Sequence, residues 1–136
     1  MIAALIGAAS LFALLPVFVS YCGTLLSSAR RVEISDRVAA LAGARDGNLA
    51  AGDFDRILQL VRLCPEHDAD RSGIRLIRIY YRMIHALGAV FGGASPDLVT
   101  WAERERGDCS HFAAVVLDRC ISSSRSLLTR QVNENP

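Results

Sequence analysis

The sequence predicts an all-α protein, with one N-terminal transmembrane helix followed by a small bundle of four or five helices. Three observations carry this. Residues 2–26 are almost entirely apolar or small, and no charged side chain precedes Arg30. Beyond Arg30, apolar residues recur at helical spacing with turn signals between them. No segment shows the apolar–polar alternation of a half-buried strand. The chain of 136 residues then divides into a transmembrane anchor over 1–29, a helical extramembrane domain over 30–128 and a polar C-terminal tail over 129–136.

A helix rising about 1.5 Å per residue needs about 20 apolar residues to cross the hydrocarbon core, and 2–26 is long enough to do so with some tilt. The rival, a cleaved signal peptide, calls for a basic leading region and a shorter apolar core. No basic residue precedes this run, and Arg30–Arg31 directly follows the passable cleavage site Ser27-Ser28-Ala29. A retained anchor is therefore expected. Arg30, Arg31 and Arg37 flank its C-terminal end, and no Arg flanks the other, so the positive-inside bias predicts an outside N-terminus and a cytoplasmic domain. Pro16 removes a backbone donor and predicts a kink. Ala3 with Gly7, Ala4 with Ala8, and Ala9 with Ala13 follow the small-xxx-small pattern that lets two membrane helices approach. The segment has no histidine to hold a haem or chlorin. Cys22, near its inner end, reads as an apolar filler or a lipidation site.

In the extramembrane part, a first helix is expected over 31–44, with Val32, Val38 and Leu41 inward, broken by Asp46-Gly47-Asn48. A second runs over 53–63, capped by Asp53, with Phe54, Ile57, Leu58 and Val61 inward; Cys64-Pro65 ends it. The third opens at Ser72 or Gly73 and reaches Phe91. Ile74, Ile77, Tyr81, Ile84, Gly88 and Phe91 form its apolar stripe, widened by Tyr80 and Leu87. Arg71, Arg75, Arg78 and Arg82 occupy another face. Gly92-Gly93 closes it. Ser95-Pro96 starts a fourth helix over 96–106. Gly107-Asp108 is read as a restart, and a fifth helix over 108–128 buries Phe112, Ala113, Val116, Leu117, Cys120 and Ile121. About 100 residues suffice for a modest core without cross-links.

Composition excludes some functions. The formal net charge is +1, without the excess basic charge that nucleic-acid binding calls for. All fifteen basic residues are arginine. No P-loop, dinucleotide-binding glycine motif, nucleophile elbow, zincin motif or C-x-x-C occurs. Asp68-Ala69-Asp70-Arg71-Ser72-Gly73 matches the first half of a calcium loop, but its twelfth position is Ile79 rather than a bidentate Glu. Asp70 and Ser72 read instead as caps of the third helix. Cys64 and His67, with Cys109 and His111, supply two thiols and two imidazoles. Residues 109 and 111, however, point to different sides of a helix and cannot share a metal. Cys109 and Cys120 lie three turns apart, too far to bridge, and a cytoplasmic domain keeps its thiols reduced. An outside domain would open Cys64–Cys109 or Cys64–Cys120 to pairing. His85 reads as a core or boundary histidine, and Trp101, Tyr80 and Tyr81 as core aromatics.

The expected function is a single-pass, non-catalytic accessory or scaffolding subunit of a larger membrane complex, with no cofactor and no metal. Other membrane protein subunits are the expected partners, with anionic lipid a further candidate for the Arg71, Arg75, Arg78 and Arg82 face. Two alternatives stand beside it. One is a membrane-tethered regulatory or ligand-sensing domain with a pocket near Cys64, Tyr81 and His85. The other is a Cys/His-dependent enzyme or metal protein using Cys64, His67 and Cys109.

Overall fold

The computed structural model describes residues 2–42, 51–64, 68–91, 93 and 95–134. These form five α-helices: α1 (Ile2–Arg30), α2 (Asp36–Ala42), α3 (Phe54–Arg62), α4 (Asp68–Phe91) and α5 (Pro96–Glu134). A single 3-10 turn, Ala51–Asp53, leads into α3. The fold is all-α, and among the described residues there is no strand.

The first helix does two jobs along its length. Residues 2–17 are exposed wherever their side chains are described, including Leu5, Ile6, Leu14 and Val17. From Phe18 onward the helix enters the bundle. Cys22, Leu26 and Ala29 are buried, and Phe18, Val19 and Leu25 pack against the same core. The helix is continuous through Pro16. Its last turn is tied down by polar contacts. The Ala29 carbonyl accepts bonds from the Val32 amide (3.0 Å) and from His111 Nε2 (3.2 Å), and Arg30 pairs with Asp108. These partners satisfy carbonyl and charge at a terminus that would otherwise be orphaned.

Two long helices make the frame. Gly88 faces Ala102, Tyr80 bonds Glu105, Tyr81 meets Arg106, and Gly73 faces Phe112. The rising number on one helix pairs with the falling number on the other, so α4 and α5 are an antiparallel hairpin. Its turn follows from Ser95-Pro96, where proline at the first helical position loses no needed donor. Along α5, Arg30 pairs with Asp108, Ala29 with His111, and Ser35 donates to Asp118 at 2.5 Å. Thus the end of α1 and the turn after it pack against the middle of α5. Phe18 meets the Tyr80 ring edge-on at 6.1 Å, while Phe54 of α3 stacks on Tyr81 at 4.3 Å. Consecutive helical residues point about 100° apart, so α1 and α3 flank α4 on opposite sides, with α5 beneath it. The core is Cys22, Leu26, Val38, Phe54, Ile57, Leu58, Ile77, Tyr80, Ile84, Cys109, Ala113 and their neighbours.

Several boundaries differ from the sequence reading, each for a physical reason. The helix expected over 31–44 begins only at Asp36, as α2, because α1 continues to Arg30 and a turn follows. The third helix begins at Asp68, so residues 68–73 are helical rather than a loop, and Asp70 and Ser72 lie inside the helix instead of capping it. The expected fourth and fifth helices are one. Gly107 costs about 1 kcal/mol in a helix interior, but the buried line Ala102, Cys109, Ser110, Ala113, Val116 and Leu117 carries α5 straight through it. That helix also continues through 129–134, the start of the segment read as a tail. Ile121 is exposed, as α5 has by then left the bundle. The side chains of Leu41 and Phe91, and the Asp46-Gly47-Asn48 break, lie outside what is described.

Candidate functional site

The outer surface of α4 carries the four arginines singled out from the sequence. With Ile77, Tyr80, Tyr81 and Ile84 turned inward, the helical period places Arg71, Arg75, Arg78 and Arg82 on the outward side next to α3. Arg75 and Arg82 are exposed and Arg78 is half-buried. Arg71, also exposed, has an interaction partner. The helix carries no acidic residue from 71 to 91, so its outward charge is uniformly positive.

Beside the arginines, on the side next to α1, runs a second line: Ile79, Met83, Ala86 and Val90. Spacings of four, three and four put them on one strip. Ile79 is 54% exposed and Val90 is 73% exposed. Sequence reasoning missed this line, because it spent the apolar residues of α4 on a single inward stripe. The signal was present: Ile79, Met83, Ala86 and Val90 repeat at helical spacing a half-turn away from Ile77 and Ile84.

Between α4 and α5 lies a shallow open cleft of about 190 Å³, lined by Ile84, His85, Gly88, Val99, Glu103 and Arg106. Arg106 Nη2 donates to Tyr81 Oη at 3.1 Å, and its guanidinium carbon sits 5.2 Å from the Tyr81 ring centre. Its Nε is buried with no hydrogen-bond partner. Tyr80 donates to Glu105 Oε2 at 3.1 Å. Burial, reinforced by the Glu105 charge, pushes the Tyr80 phenol well above its ordinary range. The expected pocket near Cys64, Tyr81 and His85 takes a different form. Tyr81 is buried against Phe54, and His85 is exposed on the rim of the α4–α5 cleft. Trp101, expected in the core, is also partly exposed.

The cysteines differ in burial: Cys22 and Cys109 are buried, Cys64 and Cys120 half-buried. All four are free thiols. Cys109 is fully buried, and burial, with Glu105 and Asp108 adding to it, pushes its thiol up to about 12. It stays neutral near pH 7, and the thiolate is the nucleophilic form. Cys22 is fully buried in the bundle, which fits the filler role and denies an acyl group access. His111 is spent on the Ala29 carbonyl. His67 lies outside the described residues, and among those described no three His, Cys, Asp or Glu side chains group to hold a metal ion. The small-residue faces sit on the projecting half of α1, where a Cβ added at Gly7 would meet nothing within 4 Å; the Ala8 side chain is not described.

No family model matches the chain, and neither a curated protein nor a solved structure matches it significantly. One helix among the described residues, α1, is long and apolar enough to cross a membrane.

Proposed function

We propose that this chain is a single-pass, membrane-anchored and non-catalytic accessory subunit that holds a helical platform against the membrane face for other membrane proteins. One observation supports this above others: α1 is apolar over residues 2–17 and exposed wherever its side chains there are described, yet buried in the bundle at Cys22, Leu26 and Ala29. The span and the platform are therefore one continuous helix rather than two parts joined by a linker. The small residues Ala3, Ala4, Gly7, Ala9 and Ala13 offer the projecting half to a neighbouring membrane helix. The positive-inside bias of Arg30, Arg31 and Arg37 argues for a cytoplasmic platform.

The test is extraction of native membranes. Alkaline carbonate is expected to leave the chain in the pellet, and mild detergent to release it together with at least one other integral membrane protein. Release by carbonate, or recovery as a monomer with no companion, would overturn the reading.

A further inference from the structure

We propose that Cys64 and Cys120 form an oxidation site. Their thiols meet at the end of the bundle remote from the α4–α5 turn, where a small-molecule disulfide converts them to a Cys64–Cys120 bond. The proposal does not rest on reading α1 as a membrane span.

Two routes through the fold bring the pair to one level. The first follows the hairpin. Tyr81 of α4 meets Arg106 of α5, and Gly73 faces Phe112. Each step back along α4 is therefore a step forward along α5, and Asp68, where α4 begins, lies level with about residue 117. Cys64 precedes Asp68 by only four residues, a reach of at most about 14 Å. The second route follows α3. Phe54 stacks on Tyr81, at the level of Arg106. From there the chain must return to the start of α4, and the rise from Phe54 to Cys64, about 15 Å, matches the rise along α5 from Arg106 to about residue 116. Both routes set Cys64 within about one helical turn of Cys120.

The helical period then aims the two side chains. Cys64 comes seven residues after Ile57, which is fully buried, and so points within about 20° of it. It packs against the core, and its Sγ donates to the Leu60 carbonyl at 3.9 Å. Cys120 comes eleven residues after Cys109 and seven after Ala113, both fully buried, and points within about 20° of each. Each cysteine thus continues the inward stripe of its helix where that stripe leaves the core, and both are half-buried. Cys109 is the weaker partner for Cys64: it lies three turns deeper along α5 than Cys120 and is fully buried.

The chemistry is thiol–disulfide exchange. One cysteine loses its proton to solvent and attacks a sulfur of the small disulfide, whose S–S bond breaks and releases one thiol. The second cysteine, also deprotonated, attacks the protein sulfur of the mixed disulfide and releases the second thiol. Two electrons pass from the cysteine pair to the small disulfide, and the two thiols it yields take up the two protons. In a reducing compartment the bond is an oxidant-dependent state rather than a permanent one.

The test incubates the full-length chain in detergent with oxidised glutathione. The expected product is a monomer lighter by two hydrogens, with peptide mapping that joins 64 to 120, and dithiothreitol restores the starting mass. Cys64→Ser and Cys120→Ser are each expected to stop at a glutathione adduct on the remaining partner. The bond closes a loop over residues 64–120, so the unfolding equilibrium constant in a chemical melt is expected to fall about a thousandfold against the reduced form. Adducts on both cysteines of the unaltered chain without a 64–120 link overturn the proposal, because the thiols are then reachable but do not meet. Links between copies, a link from Cys64 to Cys109, or no reaction at either thiol overturn it as well. A bond that forms but lowers the melt midpoint shows that the pair meets only in a distorted bundle, and overturns the placement.

Discussion

Tyr80 and Cys109 sit side by side in the core, and both are acids held in their neutral form. The folded state keeps each proton more tightly than the unfolded chain does, so their contribution to stability is whole below the unfolded pKa and drains away as pH climbs through the folded one. For Cys109 that window runs from about 9 to about 12. The melting temperature in detergent is therefore expected to hold from pH 7 to 9 and fall above it, with the fall shallower in Cys109→Ala; a flat profile to pH 11 would contradict the burial. Alkylation at pH 8 is expected to modify Cys64 and Cys120 before Cys109, as mass spectrometry of intact protein would show. Tyr80→Phe removes the bond to Glu105 and is expected to cost about 1 kcal/mol. Gly88→Ala has the opposite sign. The new Cβ would meet Ala102 Cβ at 3.6 Å, an ordinary contact, while the helix loses a flexible residue, a gain of about 0.5–1 kcal/mol. Denaturant melts of the two variants read both numbers.

At the scale of the element, α1 and α5 are where sequence and structure part company. The apolar run of α1 was legible from composition, but its division into a projecting half and a packed half was not. Projecting and core-facing leucines look alike in a sequence, and only the partners Phe18–Tyr80 and Ala29–His111 tell them apart. The division predicts a contrast. Leu26→Ala opens a cavity in the bundle and is expected to cost about 2–5 kcal/mol, whereas Leu14→Ala leaves bundle stability within about 0.5 kcal/mol. Equal effects in a chemical melt would show that the helix does not enter the core as described. The continuity of α5 was hidden by Gly107-Asp108, a strong local stop signal that tertiary packing overrides. On α4, the inward stripe at Ile77, Tyr81 and Ile84 and the four arginines were both readable from the 3.6-residue period. The outer strip at Ile79 and Val90 was not, because a periodicity argument stops once it has found one apolar face.

Across the whole molecule, the platform is built on the hairpin of α4 and α5, with α1 and α3 laid along its flanks and α2 closing against α5. All four cysteines are free thiols, so reductants are expected to leave the helical content unchanged, as circular dichroism would report. Residues beyond 118 on α5 are largely exposed, and Leu127, Leu128 and Val132 stand clear of the core. Truncation after residue 124 is accordingly expected to leave the melting temperature of the bundle within a few degrees of the full chain; a collapse of the fold would place that segment in the core.

The unbroken passage of α1 from projecting half to buried half also has a mechanical meaning. A domain hung from a flexible tether samples every heading, and a partner meets it at random. Here the bundle is keyed to the shaft of its own anchor at Cys22, Leu26 and Ala29, so any roll of the helix about its long axis turns the entire bundle by the same angle. On the proposed membrane reading, the chain is a weathervane with its post in the bilayer. On that reading, a neighbouring helix gripping the shaft would set the compass bearing of the bundle.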